Sequence, residues 1–176
     1  MAISRTQEIK NNALIQAVVD DDKAAVRVAL ENGANPNTRW EPHGLTDDRN
    51  YTALHLAVQR QNVGVVKELL KAKDIHVNAK DGFGSTALTS ATFMHLTSIV
   101  RALLEHPKIN LNLKDEKQRT AWDHARVDGT EWGNNLRSLL TKKKADLSQK
   151  AEKVSWVEGE ERREKNVQSD TKTTSR

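Results

Sequence analysis

The chain has no cysteine, which excludes a disulfide framework, a thiolate metal site and a thiol nucleophile. Aromatic residues make up only 4% of its 176 residues, and apolar residues 36% against 30% charged. That balance is poor for a compact single-core globule and suits a thin fold with much exposed surface. No run approaches the roughly 18 apolar residues of a membrane span, and the opening MAISRTQEIKNNA lacks the apolar core of a classical secretory signal. A cytoplasmic protein is expected, with one domain and a tail.

Catalytic signatures are missing too. There is no phosphate-cradling G-x-x-x-x-G-K-[ST] loop, no G-x-G-x-x-G after a strand and no G-x-S-x-G elbow. His43, His55, His76, His95, His106 and His124 are scattered singly, without the paired spacing that converges on a metal. The run Asp20, Asp21, Asp22 reads as a helix stop and cap. DGFG at Asp81 to Gly84 reads as a turn, since the other kinase motifs are absent. The expectation is a protein that is not an enzyme and uses no cofactor or metal.

The net charge of +4 is unevenly placed: residues 142–176 hold ten Lys and Arg against seven Asp and Glu, leaving 18 against 17 in residues 1–141. A basic tail can contact nucleic acid, but the body is nearly neutral.

Repetition is what the sequence does have. YTALHLAVQRQNVGVVKELLKAKDIHVNAKD aligns without a gap on STALTSATFMHLTSIVRALLEHPKINLNLKD. One constant interval separates Thr52 from Thr86, Thr86 from Thr120, Leu69 from Leu103 and Asn78 from Asn112. With a diverged copy before and another after, four repeats are expected at about 12–39, 47–80, 81–114 and 115–141. Within a repeat, the three threonines stand where a hydroxyl caps a helix. Val65, Val66, Leu69 and Leu70, echoed by Ile99, Val100, Leu103 and Leu104, form a helical apolar stripe. Two antiparallel helices and an extended turn therefore make one repeat, and neighbours must stack to cover the stripe. Ala57, Ala91 and Ala125 recur where helices approach closely, and Gly82 or Gly84 is placed to take positive φ in the tip.

These residues resemble ankyrin repeats, through TALHLA at Thr52 to Ala57, ENGANPN at Glu31 to Asn37 and the junction HVNAKDGFGSTAL. The resemblance implies an all-α solenoid of about four stacked helix-turn-helix repeats with extended β-hairpin-like tips, and a non-catalytic protein-binding role as adaptor, scaffold or inhibitor. Departures are Ala53, Ala87 and Ala121 where the family has proline, and Thr89 and Asp123 where it has the His55 equivalent, changes expected to weaken the caps. Asn50 and Gln118 stand where glycine is usual, and Leu139 falls two positions later than the constant interval from Leu103 would place it, so the last repeat should be a distorted cap.

Ankyrin proteins commonly meet partners on the concave face, built from the tips and the first helix of each repeat. Carried over by alignment, that rule selects Asp48, Arg49, Tyr51, Gln59 and Arg60 in the second repeat, and Lys80, Phe83, Ser85, Phe93 and Met94 in the third. In the fourth it selects Lys114, Glu116, Lys117 and Arg119. Phe83, Phe93 and Met94 are large apolar side chains at nominally exposed positions, although Phe93 and Met94 are equally placed to fill the core toward Leu96 and Ile99. A loop insertion at 40–46, WEPHGLT, adds Trp40 as a further contact. Residues 142–176 read as a charged tail, a helical extension through Leu147, Ala151 and Val154 and then disorder. A monomer with a protein partner is the leading expectation. A microbial effector acting inside a host cell is the alternative, and a nucleic-acid binder using the tail a further one.

Overall fold

First helices such as α3 (Ala53–Gln59) are buried nearly all round, while the second helices carry an apolar stripe, and both need neighbouring repeats to cover them. The computed structural model describes residues 4–40, 49–126 and 131–149. The chain divides into two bodies, Met1–Leu139 and Leu140–Arg176. The first holds α1 (Arg5–Val19), α2 (Lys23–Glu31), α3 (Ala53–Gln59), α4 (Val63–Leu69), α5 (Ala87–Phe93), α6 (Thr97–Glu105) and α7 (Ala121–Arg126), then α8 over 131–139. Residues 140–149, in the second body, are also helical. The rest of the expected tail lies outside the described residues, as does most of the insertion.

Two layers of helices result. First helices pack on one another, α1 on α3, α3 on α5 and α5 on α7, while α2 packs on α4 and α4 on α6. Among the described residues there is no strand, only isolated antiparallel bridges at Arg39–Thr52 and Lys80–Thr86 that close the bases of two tips. Val65, Val66 and Leu69 of α4 and Ile99, Val100 and Leu103 of α6 are buried between the layers, with Ala57, Ala91 and Ala125 where first helices touch. The last repeat departs from its predecessors. Trp122 is 41% exposed where Leu54 and Leu88 are buried, and Leu136 is fully buried whereas Leu139 is only half-buried.

Most helix starts are set by a local side chain; α6, which follows Leu96, has no side-chain cap. Thr52 and Thr86 accept from the amides of His55 and Thr89, and Thr120 from that of Asp123. The replacements at the His55 position do not weaken these caps. Thr89 bonds the Thr86 hydroxyl at 2.9 Å, and Asp123 accepts from both the amide and the hydroxyl of Thr120 at 2.8 and 2.7 Å, a reciprocal capping box. Asp22 and Asn62 cap the second helices α2 and α4. The first helix begins at Arg5, ahead of the expected repeat start at 12, because Ser4 caps it and Gln7 ties it to Asn11 and the Gly33 carbonyl.

Tight turns explain the residues where glycine is missing. Asn50, Gly84 and Gln118 share one tip position and take φ of 49°, 69° and 61°. Asp21, Gln61 and His95 take positive φ between the two helices of their repeats, a strain of about 1 kcal/mol each for a residue with a Cβ. The repeats also bond to each other through side chains. Asn37 donates to the Asp74 carbonyl and accepts from the His76 amide, and Asn78 repeats this with Lys108 and Asn110. On the second-helix layer, Glu68 is buried against Arg27 of the preceding repeat and Lys71. Hydrogen bonds from those two cations, Arg27 first, lower its pKa to about 2 against its burial.

His55 joins two repeats. The Ser85 carbonyl 3.0 Å from Nε2 can only accept, so Nε2 carries the proton and Nδ1 takes the Thr52 hydroxyl at 2.8 Å. Burial lowers the pKa of His55 below 6.5, with nearby Arg39 acting in the same direction and the Ser85 carbonyl and Asp81 opposing. Two outcomes follow. Leu69→Ala will destabilise the array by about 3 kcal/mol, read from urea unfolding. Because unfolded His55 takes up a proton first, stability will be full above pH 6.5 and fall as the pH drops toward the folded-state pKa. His55→Gln will flatten that part of the stability–pH curve.

Candidate binding groove

Successive tips are bonded in register. The Gly82 amide donates to the Arg49 carbonyl at 2.7 Å, and the Glu116 amide to the Phe83 carbonyl at 3.2 Å. In the tips of the third and fourth repeats an aspartate organises the turn. Asp81 accepts from the amides of Phe83 and Ser85 at 2.9 and 2.8 Å. Asp115, its equivalent in the next repeat, accepts from the Arg119 amide at 2.9 Å, from its guanidinium at 3.2 Å and from His124 at 2.9 Å. Burial by itself would raise the pKa of Asp115; the bonds from Arg119 and His124 outweigh it and hold the carboxyl below its ordinary value.

Between these tips and the first helices lies a groove of about 300 Å³. Tyr51 and Gln59 line it from the second repeat, and Phe83, Ser85, Phe93 and Met94 from the third. Lys117 and Arg119 line it from the fourth, with Glu116 between the two tips. Phe83 is 50% and Phe93 65% exposed. Phe93 therefore does not fill the core toward Leu96 and Ile99; it meets the edge of the His124 ring at 5.6 Å. Met94 is half-buried.

The other expected contacts are buried, beside the groove lining or away from it. Tyr51 lines the groove but is buried, stacked on His55 at 6.1 Å. Arg49 lies over the rings of Trp40 and Tyr51 at 5.8 and 5.6 Å, in a cluster beside the groove lining. Arg60 pairs with Asp21 at 3.6 Å across the helix turns. Lys80 donates to the Lys114 carbonyl at 2.8 Å. Asp48 lies outside the described residues. Asp81, Asp115 and His124 line the groove without being among the expected contacts. The aspartates were readable from their repeat spacing, but His124 aligns with Ser90 and no repeat signal marks it.

Among the described residues no three His, Asp or Glu side chains form a metal cluster, and no helix is long and apolar enough to cross a membrane. Asp115→Ala will leave Arg119 and His124 without their acceptor and destabilise the chain by about 1–3 kcal/mol, whereas exposed Phe93→Ala will shift stability by less than about 0.5 kcal/mol. Thermal unfolding of the two variants separates them.

Residues 2–81 match the family described as ankyrin repeats (3 copies). The chain is also 27% identical over 125 residues to alpha-latrotoxin-Lg1a of Latrodectus geometricus, an alignment covering 66% of this chain and 9% of the toxin. Ankyrin repeats generally mediate protein–protein interaction and are typically non-catalytic. With its capped helix pairs, stacked layers and bonded tips, the chain has the fold of an ankyrin-repeat solenoid, and residues 2–81 match that family.

Proposed function

We propose that this chain is a non-catalytic adaptor, scaffold or inhibitor that holds a protein partner in the groove between its tips and first helices. The reading rests on one observation: Phe83 and Phe93, large apolar side chains at the same groove, are at least half exposed. Exposed aromatics beside polar groups are the usual anchors of an interface, where a few residues carry most of the affinity. Arg49, Trp40 and the neighbouring tips would form its edge. The array is taken as residues 1–141, with 142–176 as an appended tail, working as a monomer in a cytoplasmic setting. The likeness to the toxin extends over 9% of that protein and supports the repeat architecture, not a toxic activity.

The full chain, used as bait in its native lysate, will retrieve a defined protein. Phe83→Ala/Phe93→Ala will weaken its capture by at least about tenfold with an unchanged circular dichroism spectrum. Capture at undiminished affinity would overturn this placement of the site.

A further inference from the structure

We propose that the groove takes an acidic segment of a protein partner carrying a large apolar side chain, an inference that rests on the protein-binding reading of that groove. The apolar requirement comes from Phe83 and Phe93, whose exposed rings offer a place for a side chain leaving water.

The charge requirement comes from how the tips divide their ions between inside and outside. Asp81 and Asp115 are 8% and 6% exposed. Both line the groove, but their carboxylates are nearly buried and engaged, by backbone amides in both cases and by Arg119 and His124 in the second. The lysines beside them in sequence, Lys80 and Lys114, are exposed, as is Lys117 on the groove itself. Among the described residues none of these three lysines is paired with a carboxylate. Lys80 uses one of its donors on the Lys114 carbonyl, which fixes its position and leaves the ammonium charge uncompensated.

The repeat makes this a row. Lys80 and Lys114 are equivalent positions of adjacent repeats, and Lys117 is the equivalent of Phe83 one repeat later; Lys117 lines the groove, and Lys80 and Lys114 each precede an aspartate that lines it. Of the carboxylates in the groove lining, Glu116 alone is exposed. A partner with carboxylates flanking an apolar anchor meets both parts at once, and complementary charge of this kind governs specificity and association rate. A nucleic acid is less well served. Residues 1–141 carry 18 basic against 17 acidic residues, without the broad basic field that phosphate binding draws on.

The test is a random-peptide display selection on the immobilised full chain, with selected peptides synthesised and titrated by fluorescence anisotropy. The expected peptides carry an excess of Asp and Glu around a large apolar residue. Their affinity will fall about tenfold or more in Phe83→Ala/Phe93→Ala and about tenfold in Lys114→Glu/Lys117→Glu, and will weaken with added salt. Neutral or basic peptides whose binding is lost in the phenylalanine variant would overturn the acidic chemistry and leave the groove reading standing. Acidic peptides that bind the phenylalanine variant unchanged would overturn the groove reading and this inference together, as would a selection that enriches nothing. An oligothymidylate that displaces the selected peptides and binds more tightly would replace the protein occupant with a nucleic acid.

Discussion

No repeat in this chain can bury its own apolar stripe, and the rest of the structure follows from that. A pair of short helices such as α3 and α4 covers one side of Leu69, Val65 and Val66; the other side is closed by the helices before and after. Stability therefore lies largely in the interfaces between neighbours, as expected of a nearly one-dimensional array. The short helices need those interfaces, because a seven-residue helix such as α3 is well below the length of about 12–15 residues at which isolated helices become even marginal in water.

Stacking imposes a register, and the register is reinforced by polar side chains that reach across it. Asn37 and Asn78 bond the backbone of the following repeat, His55 reaches the Ser85 carbonyl, and Glu68 receives Arg27. These bonds form only when two repeats lie at the correct offset, and a slip would cost the buried His55 and Glu68 their partners in the neighbouring repeat. The tips inherit the same offset. Asp81 and Asp115 use their carboxylates to hold the turn backbone, leaving the side chains at the turn surface, Phe83 and Lys117 among them, free of structural duty. The stacked scaffold and the variable groove are thus built from different atoms of the same short segment.

The last repeat shows where the pattern gives way. Trp122 replaces a buried leucine, and His124 replaces Ser90 and takes up a bond to Asp115 that has no counterpart one repeat earlier. The same His124 ring makes a T-shaped contact with Phe93 at 5.6 Å. One wall of the groove is therefore set by residues that belong to no repeat consensus.

By itself the sequence determined the repeat, its two helices and its caps. Threonine at a constant spacing, a stripe at helical intervals and turn-forming Asn, Asp and Gly are local signals, and local hydrogen bonds execute them. Phe83 at an exposed tip was legible for the same reason. Tertiary structure alone decided which of the expected contacts share one groove. Tyr51 is buried by stacking on His55, Arg60 is drawn to Asp21, and Phe93 points to solvent although its sequence context equally allowed the core. The physical reason is that these outcomes depend on what the neighbouring repeat presents, and a contact between residues a whole repeat apart in sequence is written in neither residue separately.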